Sequence, residues 1–301
     1  MQIESLKIFC DVIETQSFSR AASLNGISQS AVSQQIRGLE EKYRRRLIER
    51  GKRNLAPTEA GRIFYDGAKE ILDRFRVMEN RLQILSQIIT GSLKVATIYS
   101  VGLHELPPYI QDFIKRYPSA SIHVEYARVN KIYDDLIGNV VDLGIVAYPS
   151  PRPGIEILPF KTDQLVLICH PSHPLARSAR VDLKALSGVN FVGFEKDIPT
   201  RRAIDRILRP AHANVRMVME LDNIETIKRA VEIDAGVSIV PRATVGNEQR
   251  AGTLKVLELE GDDFVRPLGI LVKRGRERSQ VMGRLIDLLQ SGRFAREPVR
   301  A

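Results

Sequence analysis

The sequence predicts an α plus α/β chain: a small helical domain, one long helix, and a larger domain of alternating strands and helices. Three patterns predict it. Before residue 57 the apolar residues recur at the spacing of short amphipathic helices. Between Thr58 and Ile89 they recur in steps of four and three without a break. From Gly91 onward, short apolar runs alternate with amphipathic stretches, which is the pattern of βα units. The 301 residues suffice for two or three domains with ample core. The net charge of +9 directs attention to polyanionic partners. No apolar run approaches the roughly 18 residues of a membrane span, so no membrane partner is expected. The segment from Met1 to Phe9 is of mixed polarity rather than a basic head and apolar core, so no export signal is expected and the cytoplasm is the expected compartment. Cys10 and Cys169 sit inside apolar patterns and are expected to be buried free thiols.

In the N-terminal part, Leu6, Phe9, Cys10 and Ile13 form an i, i+3, i+4, i+7 stripe, predicting a helix over 3–14. Ser17 is positioned to cap a second short helix, whose Ala21 and Ala22 are small enough for close helix packing. Asn25-Gly26 is a turn signal, and Ser28 is a cap for a third helix. On that helix Val32, Ile36, Leu39 and Tyr43 form the expected buried face. A second stripe of Ser30, Ser33, Gln34 and Arg37 is polar throughout, with Gln29 beside it at the helix start. Helix, tight turn and helix with a polar face describe a helix-turn-helix. Gln and Ser can hydrogen-bond base edges in a major groove, and Arg can reach guanine or phosphate. Charge favours this over an ordinary solvated face, because from Arg37 to Arg53 eight basic residues face three acidic ones. Arg50-Gly51-Lys52-Arg53-Asn54 reads as a basic hairpin tip, with Arg50 and Arg53 suited to phosphates or a minor groove.

The long helix is bounded by Pro57 and Thr58 at its start and by Gly91 beyond its end. Phe64, Ile71, Met78 and Leu85 share one heptad position, and Ala68, Phe75, Leu82 and Ile89 the other. Four heptads with every seam position apolar favour a coiled-coil dimer over the alternative, a long helix packed on its own domain.

Several segments resemble the LysR-type transcriptional regulators. They are Ser17-Phe18-Ser19-Arg20-Ala21-Ala22, Ser28 through Ile36 (SQSAVSQQI), Leu39-Glu40, Arg50 and Pro57-Thr58-Glu59-Ala60-Gly61. His173-Pro174-Leu175-Ala176 and Gly236-Val237-Ser238-Ile239-Val240-Pro241 extend the resemblance through the second half. It implies a winged helix-turn-helix over 1–57, a linker and dimerisation helix over 58–90, and a periplasmic-binding-protein-like sensor of two α/β subdomains over 91–301. The chain would cross between the subdomains near 161 and return near 266, giving subdomain I as 91–161 with 266–291 and subdomain II as 162–265. The resemblance further implies binding of double-stranded promoter DNA at a two-fold related site, a homotetramer built from dimers, contact with RNA polymerase, and a small-molecule effector in place of any cofactor. Two departures are notable. The family often carries Leu-Gly where this chain has Tyr43-Arg44, and a Gly where it has Asp234.

Strands are predicted at 93–99, 122–126, 141–146, 155–158, 165–169, 191–194, 215–221, 237–240, 254–259 and 268–272. Helices are predicted at 106–117, 132–137, 200–209, 223–234 and 281–289, in parallel-rich layers. Ligands of such sheets bind beyond the strand carboxyl ends and between domains. That places Ser100, Val101, Arg128, Tyr148, Thr200 and Arg201 at the effector cleft, with Asn223 beside them. Two arginines beside hydroxyl or amide groups suit an anionic metabolite, although Arg201 could instead pair with Asp205 and Arg128 with Asp134.

No G-x-S-x-G, P-loop, G-x-G-x-x-G or H-E-x-x-H motif is present, and His170 and His173 lack a further ligand nearby, so neither catalytic nor metal residues are expected. Two other classes fit part of the sequence. A transporter's solute-binding protein would share the α/β half but needs export, and a sequence-indifferent nucleoid protein would leave that half without a purpose.

Overall fold

The computed structural model describes residues 2–50, 55–84, 89–261 and 264–294. The chain divides into two compact units, 1–88 and 89–301.

In the first unit, α1 (Ile3–Thr15), α2 (Phe18–Asn25) and α3 (Gln29–Tyr43) precede a hairpin of β1 (Ile48–Arg50) and β2 (Leu55–Pro57), and α4 (Glu59–Ile84) follows. The caps are those read from the sequence. Ser17 Oγ accepts from the Arg20 N–H and Ser28 Oγ from the Ala31 N–H, while Gly26 closes α2 at φ 62°. The core is built from the predicted stripe and alanines, with Phe9, Ala21, Val32 and Ile36 fully buried. Tyr43 departs from expectation: it is 42% exposed and lies edge-on to Phe64 instead of completing the buried face. The segment Pro57 to Gly61 joins hairpin to helix. The Thr58 N–H donates to Leu47 O, its hydroxyl donates to Arg46 O, and its Oγ1 caps Gly61. A Cβ on Gly61 would lie 2.0 Å from Leu47 O, so only glycine lets α4 start this close to the hairpin.

The heptad pattern of α4 serves two purposes. Phe64 packs on Phe9, and Ala68 is buried against Leu6 and Cys10, so these seam positions belong to the domain's own core. Ile71 and Met78 are 45% and 48% exposed and remain open for a partner helix. Leu85 lies outside the described residues, and Ile89 packs in the core of the second unit. Burial pushes the Cys10 thiol up to about 12 and the Cys169 thiol up to about 11, as inert core residues require.

The second unit begins with β3 (Gly91–Thr97), α5 (Tyr99–His104), α6 (Pro107–Arg116), β4 (Ala120–Tyr126), α7 (Val129–Ile137) and β5 (Leu143–Ala147). Next come β6 (Ile155–Cys169), β7 (Arg180–Val181), β8 (Asn190–Phe194), α8 (Pro199–Leu208), β9 (Arg216–Leu221), α9 (Ile224–Glu232) and β10 (Ser238–Pro241). It ends with α10 (Gly246–Ala251), β11 (Lys255–Leu259), β12 (Val265–Lys273) and α11 (Gln280–Gln290). The main sheet runs β4-β3-β5-β12-β6-β11-β7, with β10 also paired to β6, and β8 and β9 form a separate parallel pair. Period-two alternation supplies both faces of its first half. Leu93, Val95, Leu143, Ile145, Leu268 and Ile270 face one cluster with α6 and α11, while Ala96, Val146 and Leu271 face another with α7. A third core fills the second subdomain, entirely from residues 165–257.

Three expectations change. The strand predicted to run to 99 ends at Thr97, and the stretch from Tyr99 is helix α5. The runs at 155–158 and 165–169 are one strand, because a single crossing strand spans both subdomains. The sheets are as antiparallel as parallel, since β6 and β12 cross in opposite directions and impose antiparallel pairs on β5, β10 and β11.

Both departures from the family pattern occupy the left-handed region. Arg44 ends α3 at φ 50°, and Asp234 follows α9 at φ 59°. An L side chain there costs roughly 1–2 kcal/mol, less for Asp, against the roughly 0.5–1 kcal/mol of chain entropy that glycine forfeits. Arg44→Gly should therefore raise stability by about 0.5–1 kcal/mol, and Asp234→Gly by less. Urea unfolding followed by circular dichroism measures this, and a lower midpoint for Arg44→Gly would contradict it.

Candidate functional site

In the first unit, α3 presents Gln29, Ser30, Gln34 and Arg37 exposed on one side, with Ser33 half-buried between them. The opposite side is anchored. Val32, Ile36 and Leu39 are in the core, and Gln35 Oε1 accepts a 2.6 Å hydrogen bond from Ser5 Oγ on α1. Glu40 Oε1 accepts from the Leu47 and Ile48 N–H groups at 2.9 and 3.2 Å, tying the start of the hairpin to the same helix. A rigid helix thus carries an outward row of side chains that donate and accept hydrogen bonds, which is what reading base edges requires. Arg50 lies in β1, and its side chain and all of Arg53 fall outside the described residues.

In the second unit, a cleft of about 1280 Å³ lies between the two subdomains. Ser100, Arg128, Tyr148, Thr200 and Asn223 line it, as expected. Asn223 is also the cap of α9, accepting from Glu225 and Thr226. Two expected residues do not reach the cleft. Val101 is fully buried in the core, because α5 turns its side chain inward. Arg201 is spent on structure: its guanidinium donates to Phe194 O and Glu220 at 2.6 Å and to Asp205 at 2.9 Å. Burial opposes its charge, but the two carboxylates outweigh that and push its pKa up. Arg128 spans the cleft mouth, donating to Glu195 at 2.7 Å and Asp197 at 3.0 Å rather than to Asp134.

The residue that sequence reasoning missed is Arg266. It is 1% exposed and lies on the cleft floor. Nη1 donates to Ser100 Oγ at 2.9 Å, Nη2 reaches Asp163 at 3.3 Å, and Nε has no hydrogen-bond partner. Burial pulls its pKa down, opposed chiefly by Asp163, whose own carboxyl burial pushes up. Beside it Tyr148 adopts φ 50°, an uncommon conformation for a bulky residue, fixed by its N–H to Pro267 O at 2.8 Å. The N-terminus of α8, at Pro199 and Thr200, faces the same space. An orphan guanidinium donor, a serine hydroxyl and a helix N-terminus together favour an anion. Arg266 falls just before the strand predicted at 268–272, where it reads as an edge charge, whereas β12 begins at Val265 and carries it inside.

Comparison with known proteins agrees with this geometry. Residues 3–62 match the family described as bacterial regulatory helix-turn-helix protein, lysR family, and residues 86–293 match the LysR substrate binding domain. The chain is 29% identical to a probable RuBisCO transcriptional regulator of Cyanidioschyzon merolae, over 92% of this chain and 94% of that one. It is also 29% identical to the RuBisCO operon transcriptional regulator of Allochromatium vinosum, over 97% and 96%. Full-length OxyR from Pseudomonas aeruginosa has the same fold, with a TM-score of 0.73 at 21% identity over 97% and 94%. The regulatory domain of CcmR from Synechocystis, solved in complex with 2-PG, superposes with a TM-score of 0.62 at 26% identity, covering 67% of this chain and 97% of that one. The chain belongs to the LysR family of bacterial transcriptional regulators.

Proposed function

We propose that this regulator senses a small anionic metabolite in the cleft of its second unit and, as a dimer or tetramer, reads promoter DNA through α3 and the hairpin. Arg266 carries the reading. A fully buried guanidinium with one unpartnered donor is costly unless something shares its charge, and Asp163 at 3.3 Å does so weakly. An anion seated beside Ser100, Thr200 and Arg266 would complete it. The binding of 2-PG by CcmR's related domain supports the same ligand chemistry. Relatives named as transcriptional regulators support DNA, and with it RNA polymerase, as macromolecular partners. Among the described residues no helix is long and apolar enough to cross a membrane, which is consistent with work in the cytoplasm.

Removing Arg266 should cost anion binding at least tenfold, as expected for a hydrogen bond to a charged group. Because Arg266→Met alone strands Asp163, the double variant Arg266→Met/Asp163→Asn keeps the floor neutral. Calorimetry of the full chain with 2-phosphoglycolate measures the loss, with Ser100→Ala as a milder companion. Undiminished binding in both variants would remove Arg266 and Ser100 from the site.

On DNA, Gln34→Ala should alter preference among operator variants by about 1–3 kcal/mol at one base pair. Arg37→Ala, if it contacts phosphate, should weaken all sequences alike and reduce the salt slope by about one. Competition gel shifts distinguish the two patterns, and uniform weakening by Gln34→Ala would cancel its base-reading role.

Ile71 and Met78 support self-association, being apolar, at one heptad position, and open in the single chain. Replacing both with Asp should split the dimer and halve the mass by light scattering. An unchanged mass would place the interface elsewhere.

A further inference from the structure

Tyr99 and Tyr126 stack on the cleft wall with ring centroids 5.1 Å apart and planes at 15°. They come from different elements, Tyr99 opening α5 and Tyr126 ending β4. Gly102 makes the arrangement possible. A Cβ there would lie 2.5 Å from Cε1 of Tyr126, so the ring can settle against α5 only because position 102 has no side chain. Yet the two residues are left 45% and 40% exposed. Aromatic rings are ordinarily placed to bury their faces. A stacked pair backed by a helix and open to a cleft is a platform for a third ring. The same cleft is lined by Arg202, Arg206 and Arg209, which are spaced four and three apart and so share one side of α8 and its end. All three are exposed, and Arg206 is held by its Nε bond to Arg202 O. A small anion seated at Arg266 and Ser100 would leave both the tyrosine pair and these arginines uncovered.

We propose that the cleft's ligand carries a planar heteroaromatic ring as well as anionic groups, the chemistry of a nucleotide, with the ring on the Tyr99–Tyr126 pair and the phosphates shared between Arg266 on the floor and the arginines of α8. This rests on the cleft being the anion-sensing site inferred above. Every base offers a π-face to an aromatic platform, and arginine grips phosphate through paired N–H groups.

The test is calorimetric titration of the full chain with ADP, with ribose 5-phosphate, which has the sugar phosphate without the base, and with 2-phosphoglycolate. ADP should bind more tightly than ribose 5-phosphate. Tyr99→Leu should weaken ADP about tenfold while leaving ribose 5-phosphate unchanged, and Tyr99→Phe should retain ADP. Equal affinities for ADP and ribose 5-phosphate in the parent chain would overturn the ring platform while leaving the anionic reading intact. So would a Tyr99→Leu variant that loses both ligands alike while Tyr99→Phe keeps both. Absence of binding by all three anions would remove the anionic reading itself, and this proposal with it.

Discussion

The pairing of β12 with β6 is the constraint on which the second unit depends. These two strands carry the chain between subdomains, and their register sets Arg266 directly opposite Asp163. Residues opposed across antiparallel strands share a sheet face, so the register itself holds the pair together. Both are almost fully enclosed, and a second, partly buried pair, Lys161 with Glu105 at 2.6 Å, lies close by. Such a group gains little net stability from ionisation, because desolvation offsets most of the attraction. What it fixes is geometry: a guanidinium that cannot swing into solvent points at Ser100 and the cleft. The floor of the site is therefore built on strands, and its central cation is as rigid as the sheet.

Much of this was legible in the sequence because it is local. Caps, turns and periodicities depend on neighbours a few residues away, and Ser17, Ser28, Thr58 and Gly26 all take the positions their types favour. The cleft was legible only in part. Ser100, Arg128, Tyr148 and Thr200 follow strands and so fall near carboxyl ends, where the general rule for α/β sheets places ligands. Val101 and Arg201 failed for one reason: helix geometry turns successive residues by about 100°, and a prediction made from loop position cannot say which neighbour faces the cleft. Arg266 was invisible because its burial comes from strands more than a hundred residues away in the chain. The same applies to the pairing of Tyr99 with Tyr126, which only the parallel register of β3 and β4 brings together.

The long helix shows how one periodic signal can hold two structures. Phe64 and Ala68 satisfy a heptad and also complete the core of the first unit. Burial in that core explains them without a partner chain, whereas the exposure of Ile71 and Met78 does not have that explanation. An uninterrupted apolar seam therefore reports total burial along a helix, not who supplies it. In this chain the supplier changes between Ala68 and Ile71.

A ligand can regulate only by favouring one arrangement of the protein over another. The cleft meets that requirement because its lining comes from both subdomains: Ser100, Arg128 and Tyr148 from one, Thr200, Arg202 and Arg206 from the other. The contacts already crossing it near the surface are Arg128 with Glu195 and Asp197, and His104 with Glu225 at 2.7 Å. Arg128 and its partners are well exposed, so solvent screens that pair and it holds the mouth only loosely. The covalent crossings at β6 and β12 are stiff by comparison, since each is a paired strand. The mechanical consequence is a cleft that can change width at its mouth while Arg266 stays fixed at its floor. An anion bound at that fixed floor and touching α8 would bias the width, because only the α8 side of its contacts can move.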